Sequence, residues 1–205
     1  MSAAFLDIVI TLGFMATGYL IGSIPTGYIV AKIMGVDIQK MGSGNIGATN
    51  IFRNLGLVPA LIVVILDPIK GMLSVSIPML LGMDSVAVAL TALATLLGNL
   101  FNVFLGFKGG KGVATSLGIF LGIDPLITIL AMFLGIATIA LGRYVSLGSL
   151  VGVLSAPVMI LARGSFIFPY FFLTIAIALL VFYKHRENIA KLAKGTERRL
   201  GGTKT

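Results

Sequence analysis

The 205-residue chain has no cysteine, a single histidine and only seven acidic residues, and charged side chains make up just 11% of it. Without cysteine it can form no disulfide, thiolate metal site, haem attachment or cysteine nucleophile. One imidazole, His185, cannot build a multi-histidine zinc centre. Soluble domains carry about a quarter charged residues; here apolar types take that share and reach 58%. The net charge of +8 therefore sits on a chain too apolar for water, which argues against disorder and against nucleic acid as a partner. Composition predicts an all-α, polytopic membrane protein.

What is present bears this out as pattern. The apolar runs are continuous rather than alternating, which excludes a β-barrel. A hydrocarbon core of about 30 Å takes about 20 apolar residues per helix. Such runs fall at roughly 5–34, 58–81, 85–105, 112–123, 125–142, 147–163 and 166–183. The first lacks a basic start and is too long for a cleavable signal, so it is expected to persist as a span. The fourth, about 12 residues, would reach about 18 Å at 1.5 Å per residue, as a short crossing or a re-entrant half-helix.

Charge placement chooses between those topologies. With about seven transmembrane helices and the N-terminus outside, Lys40, Arg53, Lys108, Lys111 and Arg143 fall in cytoplasmic loops. Lys184, Arg186, Lys191, Lys194, Arg198, Arg199 and Lys204 follow in a cytoplasmic C-terminal tail, while the outer links hold Asp84, Asp124 and Arg163. That is the positive-inside pattern. Merging 112–142 into one crossing, or making 112–123 re-entrant, would export the tail. Residues 1–184 are thus expected to form the transmembrane domain and 185–205 a basic tail. Within the tail, 189-IAKLAKGTERRL-200 reads as an amphipathic helix lying on anionic lipid.

Three cytoplasmic segments collect the unusual sequence: 42-GSGNIGATNIFR-53, 108-KGGKGVATS-116 and 185-HRENIAKLAKGTERR-199. In the first two a glycine turn (Gly42 and Gly44; Gly109, Gly110 and Gly112) leads into a helix-compatible stretch. Glycine lets backbone N–H groups converge, and a helix start adds free N–H groups and a positive dipole end. Together these make an anion cradle suited to phosphate, with Lys108, Lys111 and the forked Arg53 as full charges. Gly-rich turns with flanking cations also occur at ordinary membrane helix ends; two on one face favour a site. Neither matches the nucleotide P-loop pattern.

Inside the second run Asp67 and Lys70, at i and i+3 beside Pro68, are expected to pair on one helix face, structurally or against substrate. Asn99 and Asn102 can line the same cavity or bond between helices. Ser146 and Ser149 read as N-caps, and His185 as a solvated flank at the depth of the glycine loops.

These residues also carry a resemblance. The strings GSGNIGATN-x-x-R at 42–53, LD-x-x-KG at 66–71, FKGGKGVAT at 107–115, SLG at 146–148, HREN with Ile189, and GTE at 195–197 closely resemble the bacterial acyl-phosphate:glycerol-3-phosphate acyltransferase (PlsY) family. The resemblance implies transfer of a fatty acyl group from acyl phosphate to glycerol 3-phosphate at the cytoplasmic face of the inner membrane. It implies that Ser43 and Arg53 are needed for activity, that 108–115 binds glycerol 3-phosphate, and that His185 and Asn188 match the third motif. Together with the reading of the residues themselves, the candidate catalytic set is Ser43, Arg53, Lys111, Ser146, His185 and Asn188, and the candidate substrate contacts are Gly42, Gly44, Asn45, Thr49, Asn50, Asp67, Lys70, Asn99, Lys108, Gly109, Gly110, Gly112 and Thr115. Glu197 is implied as structural. One departure stands out: the family usually reads G-H-x-x-P-V-F where this chain reads 98-GNLFNVF-104, so no proton-transfer role can be carried to Asn99.

Acyl phosphate is a mixed anhydride and already activated, so no ATP, metal or cofactor is expected. The hydroxyl proton can pass to His185 or to substrate phosphate, and the expectation leans to phosphate because a flank histidine has little to fix its pose. The H-x-x-x-x-D acyltransferase box is absent, since Ala190 stands five residues after His185. A carrier or channel for phosphorylated anions remains the alternative, because glycine breaks and internal Lys/Asp also mark transporters.

Overall fold

The computed structural model describes residues 2–164 and 166–201; Lys204 of the expected tail lies outside them. Among the described residues the fold is all-helical, with ten α-helices, two single-turn 3-10 helices and no strand. The α-helices are α1 (Ala3–Gly22), α2 (Thr26–Ile33), α3 (Ala48–Leu55), α4 (Leu57–Leu80), α5 (Ser85–Leu100), α6 (Val113–Ile123), α7 (Pro125–Gly142), α8 (Val145–Arg163), α9 (Phe168–Lys184) and α10 (Arg186–Ala193).

Five stretches are long and apolar enough to cross a membrane: Ala3–Ile33, Leu57–Leu80, Ser85–Leu105, Pro125–Gly142 and Val145–Arg163. A sixth results if α9 and α10, bent by 60° at their junction, count as one. Every run expected to span is helical, but α6 has only 11 residues and α9 has 17, and α5, with 16, reaches span length only together with the 3-10 turn that follows it. The causes are local. Gly112 in the left-handed conformation starts α6, and Asp124 ends it by turning the chain into α7, whose Pro125 and Asp124 cap suit a helix start. The expected first run is itself broken between Gly22 and Thr26, around Pro25. Among the carbonyls at that break, Ser23 receives Asn102 Nδ2 and Ile24 receives Lys70 Nζ at 2.8 Å.

α5 is the most enclosed of the spans. Its Val88, Ala92, Leu96 and Leu100 are fully buried in a core shared with Val75 of α4, Ile119 of α6, Val153 of α8 and Ile177 of α9. In a bilayer, helix pairs hold together through close packing more than through expulsion of water, and glycine supplies the approach. A side chain added at Gly118 of α6 would run into the Pro68 backbone, and one at Gly71 of α4 into the Thr115 carbonyl. Gly135, Gly148 and Gly152 serve α7 and α8 in the same way. The expected Asp67–Lys70 pair forms at 2.8 Å, and Arg163 pairs with Asp124.

Overpacking a core costs about 1–3 kcal/mol where side chains can yield, and at Gly118 the opposing atoms are backbone. Gly118→Val is therefore expected to lower the thermal midpoint of the detergent-purified protein by several degrees and to broaden its size-exclusion peak. Gly13→Val, at a helical position of α1 with open space around it, is expected to leave the peak sharp.

Candidate active site

The first glycine loop is held by one amide. Asn50 of α3 donates from Nδ2 to the carbonyls of Met41 (3.0 Å) and Asn45 (2.9 Å), and its Oδ1 accepts the Ser43 N–H (3.1 Å) and Asn54 Nδ2 (3.0 Å). Gly42 lies so close to Asn50, at φ 59°, that a side chain there would collide with it. The loop delivers Gly47 to the start of α3, where Asn50 N–H already bonds the Gly47 carbonyl at 3.0 Å. Ala48 and Thr49, ahead of it, have no helical acceptor for their N–H groups.

The second loop hangs from the end of α5. Gly110 N–H donates to the Asn99 carbonyl at 2.9 Å, and Gly109 packs on the Asn99 and Leu100 backbone. Gly112, at φ 80°, then turns the chain into α6, whose first intrahelical bond is Ser116 N–H to the Gly112 carbonyl at 2.8 Å. The N–H groups of Val113, Ala114 and Thr115 are thereby left for a ligand.

The third segment returns over both. Asn188 Oδ1 accepts Lys111 Nζ, Asn188 Nδ2 donates to Glu197 Oε1 at 2.7 Å, and Ser146 Oγ donates to the same oxygen at 2.8 Å. Arg53 donates to the Arg198 carbonyl at 3.3 Å, Leu200 N–H to the Arg143 carbonyl at 2.6 Å, and Arg199 to Tyr144 Oη at 3.1 Å. Three sequence expectations change here. The helix expected over 189–200 ends at Ala193, and the chain beyond it is clamped onto Arg143 and Tyr144 at the start of α8. Ser146 caps nothing: the N-cap is Tyr144, without a side-chain bond, and the serine hydroxyl goes to Glu197. His185 is no solvated flank. It is 3% exposed, with Nδ1 2.8 Å from the Val181 carbonyl.

A carbonyl can only accept, so Nδ1 carries the proton of the neutral ring and Nε2 keeps its lone pair. The His185 pKa is pushed down to about 4, chiefly by burial and also by the Lys111 charge, against the raising effects of the Val181 bond and the Glu197 charge. Burial also lowers Lys111, with Glu197 and Glu187 working the other way.

All three segments open into one cavity of about 510 Å³. Its polar head gathers Ser43, Asn45, Thr49, Asn50, Arg53, Asp67, Asn99, Gly110, Lys111, Gly112, Thr115, Ser146, His185, Asn188 and Glu197. Five expected contacts do not line it. Gly42 and Gly44 shape the first loop, Gly109 packs on α5, Lys108 is exposed, and Lys70 turns away to Asp67 and Ile24. From the head an apolar limb continues between α4 and α7 over α6, through Val64, Leu117, Leu121, Ile129 and Met132, with Thr128. Sequence reasoning missed the limb, because an apolar residue facing a groove reads like one facing lipid. It also missed Gly47 and Ala48, although they sit inside the first motif. Asn102 is structural: it caps the 3-10 turn at Phe104 N–H (3.0 Å) and reaches the Ser23 carbonyl.

Fold and cavity together define the class, a helical membrane protein with one cavity that is cationic at one end and apolar at the other. The model of the glycerol-3-phosphate acyltransferase family matches residues 12–195. Among relatives, the glycerol-3-phosphate acyltransferase of Geobacter sulfurreducens is 45% identical over 186 residues, covering 90% of this chain and 94% of its own. That of a Thermus thermophilus strain is 47% identical over 183 residues, covering 89% and 92%. The crystal structure of PlsY (YgiH), an integral membrane glycerol 3-phosphate acyltransferase, in its glycerol 3-phosphate form superposes with a TM-score of 0.88 at 39% identity, covering 93% of this chain and 96% of that one. Its lysophosphatidic acid form gives 0.86 at 39%, covering 92% and 94%. The chain belongs to the glycerol-3-phosphate acyltransferase family, and it is an acyltransferase rather than a carrier.

The buried histidine has a consequence for stability. Its folded pKa of about 4 lies below the ordinary 6.5, so between those values the unfolded chain binds more protons and stability falls as pH falls. The thermal midpoint is expected to drop from pH 6.5 towards pH 4, and His185→Gln is expected to flatten that part of the profile relative to wild type.

Proposed function

We propose that the protein transfers a fatty acyl group from acyl phosphate to the 1-hydroxyl of glycerol 3-phosphate, giving 1-acyl-glycerol 3-phosphate and inorganic phosphate. One observation carries the reading: two glycine-bracketed helix starts, those of α3 and α6, open with Arg53 and Lys111 into a cavity that continues as an apolar limb. Two phosphates call for two cradles, and a fatty chain calls for the limb. The ligand forms of the solved PlsY structures, glycerol 3-phosphate and lysophosphatidic acid, have the chemistry of one substrate and one product.

In the reaction the C1 oxygen bonds the acyl carbon, the bond from that carbon to the phosphate oxygen breaks, and the hydroxyl proton leaves. Lys111, Arg53, the Ser43 hydroxyl and the free N–H groups of α3 and α6 offset phosphate charge and hold the reactants together. Glu197 orients Ser146 and Asn188, and Asn188 in turn holds Lys111. His185 Nε2 is fixed in place and accepts the hydroxyl hydrogen bond, but a ring with a pKa of about 4 is a poor proton store at neutral pH. A phosphomonoester with its second pKa near 6 is the better base, so the proton goes to substrate phosphate.

Seven crossings, an outer N-terminus and an inner-membrane cavity whose head faces the cytoplasm complete the proposal. The positive-inside count supports it, as does the run of α6 alongside α4 in the same direction, with Gly118 opposite Pro68 and Gly122 opposite Val75.

The test is phosphate release from acyl phosphate by detergent-purified protein, with and without glycerol 3-phosphate. Release is expected to require glycerol 3-phosphate. Lys111→Ala and Arg53→Ala are each expected to lower kcat/KM at least about a hundredfold, the scale of a lost charged contact to a developing anion. No dependent release, with anion uptake in liposomes instead, would overturn the reading.

The proton assignment has its own check. His185→Ala is expected to cost about ten- to a hundredfold, a positioning loss. A fall of four or more orders of magnitude with substrate binding intact would move the proton to His185.

A further inference from the structure

Asp67 lines the cavity, yet the reaction just described leaves it without a task. Its place is set by the α4–α6 crossing. Gly71 faces the Thr115 carbonyl and Ile119 N–H, and Gly118 faces the Pro68 carbonyl. Asp67 therefore stands beside the first turn of α6, in the wall of the cavity that holds both Lys111 of the polar head and Leu117 and Leu121 of the apolar limb. That is where a phosphate-bearing head meets a fatty tail, so an acyl carbon and its attacking hydroxyl must meet there too.

The carboxylate is held by one oxygen. Oδ1 is buried 2.8 Å from Lys70 Nζ as an ion pair without hydrogen-bond geometry, because Nζ donates instead to the Ile24 carbonyl at 2.8 Å. Oδ2 makes no protein hydrogen bond among the described residues, and the side chain keeps 14% of its surface. A charge at membrane depth is expensive even when paired, and a neutral donor at position 70 would tie α4 to Ile24 at lower cost. The ion pair keeps a charged acceptor at the cavity wall instead. Asn45, Asn50 and Asn188 spend their side-chain oxygens on protein donors, and Asn99 and Thr115 offer only neutral oxygens. Of the two carboxylates in the lining, Glu197 already has Oε1 taken by two donors.

Glycerol 3-phosphate brings two hydroxyls into a head rich in donors. The 1-hydroxyl gives up its proton during the reaction; the 2-hydroxyl keeps its own and needs a standing acceptor. We propose that Asp67 Oδ2 accepts the hydrogen bond of the glycerol 2-hydroxyl, which aims the adjacent 1-hydroxyl at the acyl carbonyl and selects polyol phosphates carrying that group. The inference rests on the glycerol 3-phosphate reading above. Lys70 acts through Asp67 as a positioning residue.

The experiment compares glycerol 3-phosphate with 3-hydroxypropyl phosphate, which has the same primary alcohol and phosphate and lacks only the 2-hydroxyl. A hydrogen bond to a charged group makes a difference of about ten- to a hundredfold, and wild-type kcat/KM is expected to favour glycerol 3-phosphate by that factor. Replacing the ion pair with apolar residues of similar size often preserves the fold, so Asp67→Leu with Lys70→Met is made together, with Asp67→Asn as the milder variant. Each is expected to lower kcat/KM for glycerol 3-phosphate towards that for the analogue, leaving the analogue within about threefold and KM for acyl phosphate unchanged. Equal use of the two alcohols by wild type would overturn the proposal whatever the variants do. So would variants in which both alcohols lose rate equally and the ratio survives, the mark of a purely structural ion pair. Absence of any acyl transfer by wild type would instead sink the acyltransferase reading, and this inference with it.

Discussion

Inside a bilayer there is no water to satisfy a free backbone group, so a helix can end at membrane depth only where protein supplies the partners. The end of α5 is built on that constraint. Its last carbonyls are taken by three different elements: Gly98 by Ser23 Oγ (3.2 Å) and Phe101 by Tyr19 Oη (2.7 Å) at the end of α1, Asn99 by Gly110 N–H (2.9 Å) and Leu100 by Lys184 Nζ (2.8 Å). One helix end thus fastens α1, α9 and the second glycine loop. Because that loop hangs from Asn99, α6 starts where it does, and its free N–H groups face a cavity.

Glycine does a second, separate service. At Gly71 and Gly118 it lets α4 and α6 touch backbone to backbone, which fixes the level of Asp67 and Val64 against the first turns of α6. The polar head and the apolar limb are consequently two parts of one groove. A ligand charged at one end and fatty at the other can lie along it without crossing a helix.

Much of this was legible beforehand, and for physical reasons. Continuous apolar runs announced a helical membrane protein. Glycine beside helix-forming sequence marked both cradles, and the two open together. The i, i+3 spacing of Asp67 and Lys70 foretold their pairing. Other features were not legible. Ser146, Asn188 and Glu197 share one hydrogen-bond junction across 51 positions of chain, and no local pattern encodes a partner so distant. His185 looked like a flank residue because its burial comes from elements elsewhere in the chain. Lys70 looked like a substrate cation until the break after α1 offered it the Ile24 carbonyl.

Sequence alone determined the helical class, the polar segments and the turn chemistry, since these follow from side-chain hydrophobicity, charge and glycine's backbone freedom acting over a few residues. Only the tertiary structure decided which polar groups face the cavity and which satisfy one another, where the apolar limb runs, and that His185 is a buried, neutral acceptor. Those outcomes depend on the distances between helices and on the local dielectric, and both exist only once the bundle has packed.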